Sequence, residues 1–361
     1  MTEKGEILMA LEQIEKDKKL KKEDILMTIE GAIVSAYRKH VGKNANVEAK
    51  INLDSGEVTA SIIKVVVENV VNPLLEISVQ DAKKIEQNSY VGYEVRIPLD
   101  PQDFARIAAQ TARQIIVQKI RESERDLLFA EMKEKVGQIV SGVIYRVTNG
   151  NIIVDLGKTE AMLPMSEQVI KEKFSIGQHI RAVIMKVEKN AKGPRVILSR
   201  ANAEFVKRLF EIEVPEIYEK VVEIVSIVRE PGIRTKISVL SNNPRVDPVG
   251  ACVGVKGARV KPIIDELRGE KIDLISYSLD PLKYIASAVS PAKVVSVVTI
   301  SEKDKKAEVL IANDMLSLAI GRSGHNVRLA AKLTGWYVEI KSEEEKKEEI
   351  RKGLEEQKEV S

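Results

Sequence analysis

The amino-acid sequence predicts a multidomain α/β protein: an α/β head ending in a long helix, then a small closed β-barrel, then two tandem copies of one compact α/β unit. Three observations predict it. A pattern recurs at an interval of 67 residues, DPVGACVGVKGARVKPIIDEL over 247–267 and NDMLSLAIGRSGHNVRLAAKL over 313–333. Ahead of it, five short strand patterns separated by turn signals fill residues 135–200. Ahead of those, an unbroken helical pattern runs over 101–134.

The head comes first in the chain. Ile7, Leu8, Leu11 and Ile14 fall at helical spacing, as do Ile25, Ile29, Ile33 and Tyr37. Alternation then predicts strands over 46–53 and 58–67, joined at Asp54-Ser55-Gly56, and a further strand over 93–97 ending at Pro98. The long helix follows, with Phe104, Ile107, Ala108, Ile115, Ile116 and Leu127 as its apolar stripe and Arg106, Arg113, Lys119 and Arg121 on its polar face.

In the barrel the expected strands are 139–147, 152–156, 161–163, 179–188 and 195–199, with turns at Asn149-Gly150 and Lys192-Gly193-Pro194. This arrangement resembles the S1-motif OB-fold, a single-strand-binding barrel that combines aromatic platforms with a cationic groove. Tyr145, Arg146, Arg181 and Lys186 are the candidates for its binding face. Tyr145 and Phe174 are its only aromatics, and Phe174 fits a core position equally well.

The repeat units follow. The first is expected to begin with a helix over 215–228, then a strand over 234–240, the helix pair around Gly254 and a closing strand over 271–277. The second has a helix over 281–289, strands over 293–300 and 307–312, the helix pair around Gly321 and a strand over 336–340. Gly269 and Gly335 stand where the second helix of each pair should stop. Helix, two strands, helix pair and strand is the order of a bacterial-type (type II) KH domain, although one early strand is indistinct in the first unit. Asp280-Pro281 leaves almost no linker, so the units should pack as one body.

Each unit carries a Gly-x-x-Gly loop, Gly254, Val255, Lys256, Gly257 and Gly321, Arg322, Ser323, Gly324. Two glycines around a tight turn let backbone N–H groups approach a phosphate, and the next helix brings the positive end of its dipole to the same place. This is the logic of the KH loop, which clamps about four nucleotides of single strand. Arg259, Lys261, Asn326 and Arg328 flank the loops as further RNA-binding candidates. His325 adds a titratable ring, either as a helix cap or as an RNA contact.

Charge distribution agrees with a polyanion partner. Residues 1–134 carry 20 Lys and Arg against 23 Asp and Glu, residues 135–341 carry 32 against 23, and residues 342–361 carry 5 against 8. A basic middle is thus flanked by acidic ends. With aromatics at 4%, phosphate contacts should dominate over stacking, and binding should be salt-sensitive. One Cys and three His exclude a disulfide framework and a zinc cluster. With no apolar run of 18 residues and no signal-like N-terminus, a cytoplasmic location is expected, without secretion or a membrane span.

The phrases DFARIAAQTARQII, DPVGACVGVKGARV and IGRSGHNVRLAAKLTGW, in this order of modules, resemble the NusA family of bacterial transcription factors over residues 1–341. The resemblance implies domains at 1–134 (polymerase-binding head and connecting helix), 135–200 (S1), 201–278 (first KH) and 279–341 (second KH). It implies docking on core RNA polymerase at the flap near the RNA exit channel, with Arg106 and Arg113 as contacts. The barrel and KH units would hold nascent single-stranded RNA, and other Nus factors would join in pausing, termination and antitermination. Residues 342–361 are expected to be a charged tail, either a frayed helix or disordered. No catalytic residue, cofactor or metal is expected, and the chain should act as a monomer. Polynucleotide phosphorylase also joins KH and S1 modules, but in the opposite order and with large catalytic domains absent here. The alternative that stays open is a polymerase-independent RNA chaperone or ribosome-maturation factor, for which an acidic head has no evident use.

Overall fold

The computed structural model describes residues 22–52, 58–99, 101–190 and 193–359, in two compact units, Met1–Leu128 and Phe129–Ser361. In the first unit, helix α1 (Lys22–Val41) precedes strands β1 (Val47–Ile51), β2 (Val58–Val67) and β3 (Glu76–Ser78). Helix α2 (Val79–Ile85), strand β4 (Glu94–Pro98) and the long helix α3 (Pro101–Glu134) complete it. β2 pairs antiparallel with β1 and β4 and parallel with β3. Leu26, Ile29 and Ile33 recur every three or four residues along α1 and so bury one face against Ala49, Ile51 and Ala60 of the sheet, with Ile116 of α3 closing the core. The Ile7–Ile14 pattern and the Asp54-Ser55-Gly56 turn lie outside the described residues, as do the side chains of Ile25, Phe104, Ile107 and Ala108. Leu127, expected in the apolar stripe, is instead exposed.

The second unit opens with the barrel: β5 (Ile139–Thr148), β6 (Asn151–Asp155), β7 (Glu160–Leu163), β8 (His179–Asn190) and β9 (Gly193–Ser199), closed in the order β5-β6-β7-β9-β8. Asn149 and Gly150 both take positive φ, 50° and 77°, the two-residue turn whose twist matches the flanking strands. Lys192 of the other expected turn lies outside the described residues.

Helices α4 (Ala203–Glu213) and α5 (Pro215–Tyr218) lead into β10 (Val222–Glu230) and β11 (Arg234–Ser241). Then come α6 (Pro248–Val253), α7 (Val260–Glu266) and β12 (Lys271–Ser276). The helix expected over 215–228 is corrected: it stops at Tyr218, Lys220 takes φ 60°, and the β-branched run from Val222 forms the early strand that is indistinct in the sequence. α4 was not anticipated. Asn202 caps it by accepting from Glu204 N at 2.8 Å, and Phe205, Val206, Leu209 and Phe210 bury in a core shared by the first KH unit and Val183 of the barrel. At about 1.5–3 kcal/mol for each such side chain, this helix fixes the barrel to the KH unit.

The second KH unit comprises α8 (Pro281–Ala288), β13 (Val294–Ser301), β14 (Lys306–Ile311), α9 (Leu316–Ile320), α10 (His325–Thr334) and β15 (Tyr337–Ser342). In both units the central strand pairs antiparallel with the first and parallel with the last. Ile275 of the first unit joins the buried core of the second, as the absent linker implies.

Position 236 in β11 and position 308 in β14 are equivalent: Lys236 is opposite Val228 and Asp273, and Glu308 is opposite Val298 and Glu339. Lys236 is buried and donates to Asp273 Oδ2 (2.9 Å) and to the Ser290 carbonyl of the second unit (2.7 Å). Burial pulls its ammonium below the usual lysine range, and Asp273 partly restores it. Glu308 instead meets Lys341 (3.1 Å) and Lys346 (2.6 Å). Lys346 belongs to a last helix, α11 (Glu343–Glu359), so of the two expectations for the tail the helix is the one found. Ser342 and Glu345 form a capping box, with Glu345 N donating to Ser342 Oγ (3.1 Å) and Ser342 N donating to Glu345 Oε2 (2.8 Å). Three glutamates in the first turn suit the helix dipole.

Candidate nucleic-acid interface

Asp247 starts the first helix pair by accepting from Val249 N (3.3 Å) and Gly250 N (2.9 Å), the work of an N-cap aspartate. The two Gly-x-x-Gly loops then take the same backbone path. Gly254 and Gly321 have φ/ψ of 71°/171° and 75°/165°, and Lys256 and Ser323 have 53°/28° and 52°/26°. The first glycine of each loop is imposed by close approach as well as by φ. A Cβ on Gly254 would lie 2.9 Å from Arg259 Cγ, and one on Gly321 would lie 2.8 Å from Asn326 Cβ and 3.0 Å from its N. Lys256 and Ser323 hold the left-handed conformation without glycine, at a cost of about 1–3 kcal/mol each.

Side chains at the turns point outward: Val255 is 83% exposed, and Lys256, Lys261, Arg322 and Ser323 are exposed with it. Arg259 and Asn326, five residues beyond the first glycine of each loop, do something else. Arg259 Nη1 donates to the Ala251 carbonyl (2.6 Å) and to Glu216 Oε2 (2.8 Å). Asn326 is fully buried, its Nδ2 donating to the carbonyls of Val289 and Ala319 (2.9 Å each), while its Oδ1 accepts from Arg234 Nη1 (3.0 Å). The Asn326 amide is therefore a strut inside the fold rather than part of the exposed surface, a correction to its candidacy.

Arg328 lies at the surface but its Nε donates to Glu230 Oε1 of the first unit at 2.8 Å, and His325 Nδ1 pairs with the other oxygen of that carboxylate. Arg328 does most to hold the Glu230 carboxyl below the ordinary carboxylate range; burial opposes it and His325 adds to it. Sequence reasoning missed Glu230. Its partners stand 95 and 98 residues away, a separation at which no local pattern speaks.

On the barrel, the register of β5 against β6 shifts between Ile144 and Arg146. This bulge turns both Tyr145 and Arg146 outward, which strict alternation would not do. The Tyr145 ring is 59% exposed, with the Arg146 guanidinium 6.0 Å from its centroid. Arg146 also pairs with Glu160 (3.3 Å) and Lys186 with Glu188 (2.6 Å), all at the surface. Arg181 is held by Glu266 of α7 (2.9 Å), at the seam between barrel and KH unit. Phe174 is half-buried under the Arg200 guanidinium, 5.8 Å from its centroid. In the head unit Arg113 is exposed on α3, and the Arg106 side chain lies outside the described residues.

Among the described residues no group of His, Cys, Asp or Glu is placed to hold a metal ion, and no helix is long and apolar enough to cross a membrane.

Four family models match the chain: the NusA N-terminal domain over 6–126, the S1 RNA binding domain over 133–200, the NusA-like first KH domain over 200–277 and the NusA-like second KH domain over 281–348. A protein of Halalkalibacterium halodurans named transcription termination/antitermination protein NusA is 48% identical over 344 residues, covering 95% of this chain and 90% of that one. Proteins of the same name are 46% identical in Bacillus subtilis (95% and 92% covered) and 41% identical in Thermus thermophilus (98% and 95%). The solution structure of the N-terminal domain of NusA from B. subtilis is 41% identical, covers 34% of this chain and 98% of its own, and aligns with a TM-score of 0.32.

Proposed function

The chain belongs to the NusA family of transcription termination/antitermination proteins, with S1 and KH RNA-binding domains, and from that premise we propose how its parts divide the work. Residues 135–341 hold nascent single-stranded RNA, as an S1 barrel (135–200) and two KH domains (201–278 and 279–341). The head and connecting helix, 1–134, dock on core RNA polymerase near the exit channel through the face that carries Arg106 and Arg113. Other Nus factors join this assembly in the bacterial cytoplasm, and the chain acts there as a binding factor rather than an enzyme.

One observation carries the RNA assignment: two loops of different sequence adopt the same backbone and each exposes a cation, Lys256 in one and Arg322 in the other. A conformation that costs strain at Lys256 and Ser323 and recurs in both copies is the kind kept for a ligand. Backbone N–H groups of the loop, with the adjacent cation, suit a phosphate. Tyr145 beside Arg146 gives the barrel one stacking platform.

The test is binding of single-stranded RNA by the full chain at several salt concentrations. The double replacement Lys256→Asp, Arg322→Asp should weaken binding and reduce the magnitude of the log K against log[salt] slope by about 1.4, at 0.7 per phosphate contact. Unchanged affinity and slope would remove the KH loops from the interface. Arg106→Glu with Arg113→Glu should spare RNA binding and lower retention of core polymerase. Loss of RNA binding in that variant would contradict the division of labour.

A further inference from the structure

We propose that a cleft where the barrel and both KH units meet is a phosphate-binding site for one nucleotide, beyond the two Gly-x-x-Gly loops. This rests on the RNA-binding reading above and extends it to residues outside any loop motif. The cleft has a volume of about 440 Å³ and is lined by Lys171 of the barrel, Ile233, Arg234 and Lys271 of the first KH unit, and Arg322 and His325 of the second. Three modules that could each have turned any side chain here all present cations.

The local charge is not cancelled within the fold. Arg234 lies 3.2 Å from Asp273, which also takes Lys236, and His325 is taken by Glu230. Lys171, Lys271 and Arg322 have no carboxylate partner among the described residues. Lys171 donates to the Gly232 carbonyl at 2.7 Å, which fixes its ammonium in place without neutralising it. Arg234 is anchored by Asn326 at 3.0 Å, and its buried Nε faces Asp273 Oδ2 at 3.2 Å.

The site is also built in advance. Its walls belong to one compact unit whose modules share buried cores, so a ligand meets groups already held in position. Ile233, partly exposed, adds one apolar side chain to the lining. A second cleft, between barrel and first KH unit, makes the contrast. Asp265 and Glu266 face His179, Arg181 and Arg268 there, a balanced lining that does not select an anion.

A phosphate in this cleft belongs either to RNA leaving the second KH loop, whose Arg322 lines the same wall, or to a free nucleotide. The probe is Lys271→Glu in the full chain, because Lys271 is exposed and lies outside both loops. Lys303→Glu, an equal charge change at an exposed hairpin position outside the cleft, is the control. We expect Lys271→Glu to weaken single-stranded RNA binding roughly three- to tenfold at low salt and to reduce the magnitude of the salt slope by about 0.7, with Lys303→Glu close to wild type. Competition of RNA by micromolar ADP, lost in Lys271→Glu, would make a free nucleotide the source of the phosphate; no competition would make it the RNA backbone. Equal effects of the two variants, or none from Lys271→Glu while Lys256→Asp still weakens binding, would overturn the cleft and leave the loop assignment standing. Wild-type protein that does not bind RNA would remove the underlying reading instead.

Discussion

Replacing Glu270 with alanine should be among the most destabilising single changes in the second unit, for a reason legible in its hydrogen bonds. The carboxylate is 1% exposed and sits opposite Arg229, whose side chain is 2% exposed. Arg229 donates twice to it, Nε to Oε1 and Nη2 to Oε2, both at 2.9 Å; Gly232 N donates at 2.7 Å, and the Thr235 hydroxyl donates as well. Removing Glu270 strands a buried guanidinium that keeps only the Arg200 and Asn202 carbonyls, at 2.6 and 2.8 Å. Breaking such a pair costs about 3–5 kcal/mol, whereas replacing both members with apolar residues of similar volume is often neutral. The two stranded donors on Gly232 and Thr235 add to this, and water entering the vacated space returns part of it. Hydrogen exchange of peptides from β11 and β12 is the suitable assay, because a chain with two units does not unfold in one step. The expected acceleration is roughly 150- to 4,000-fold, at tenfold per 1.4 kcal/mol. The double variant Arg229→Met, Glu270→Leu should recover most of the protection. Acceleration below tenfold in Glu270→Ala, or a double variant worse than either single, would refute the reasoning.

Gly321→Ala should destabilise the second KH unit more than Gly324→Ala, since both adopt positive φ but only Gly321 has Asn326 in the path of a Cβ. Urea unfolding followed by the fluorescence of Trp336, the single tryptophan, should show about 1–2 kcal/mol for Gly324→Ala and visibly more for Gly321→Ala. Lys346 chiefly, with Lys341 adding and burial opposing, holds the Glu308 carboxyl below its usual range. Its contribution is therefore present above the ordinary glutamate value of about 4.3 and lost as the pH falls through the lower folded value. Exchange in 343–352, corrected for intrinsic rates, should rise sharply between pH 5 and pH 3 (about the range of that titration) and lose this dependence in Glu308→Gln. Burial pushes the Cys252 thiol up to about 12, so iodoacetamide at mildly alkaline pH should leave the native chain unmodified and alkylate it once unfolded, as a mass increment reports.

The sequence was legible where structure is local. Barrel strands fall within a few residues of their alternation patterns, and the glycine pairs mark both loops because positive φ leaves a direct compositional trace. The β-branched run at 222–230 marks a strand, but Pro215 opens a helix just before it and the helical period of that short helix overlaps the start of the run. α4 was legible in principle: Asn202 as cap and apolar residues at 205, 206, 209 and 210 are an ordinary amphipathic helix. Within the candidate site, Lys256 and Arg322 look no different in sequence from Arg259, yet the former face solvent and the latter is spent on Glu216. That distinction, like the gathering of Lys171, Lys271 and Arg322, depends on which surface each strand end meets after the modules pack. No periodicity encodes it.

The exchange of Lys236 for Glu308 at equivalent places in the two sheets gives the array a direction. A unit presenting a lysine there can receive the carbonyl-rich end of a following helix, and a unit presenting a glutamate cannot offer the same greeting. Concatenating a third copy of the second unit after the first two would set a carboxylate against the Ser290-type carbonyl, an acceptor facing an acceptor. The chain instead closes that place with a lysine from its own last helix. The order of these two units is thus written in one charge per sheet.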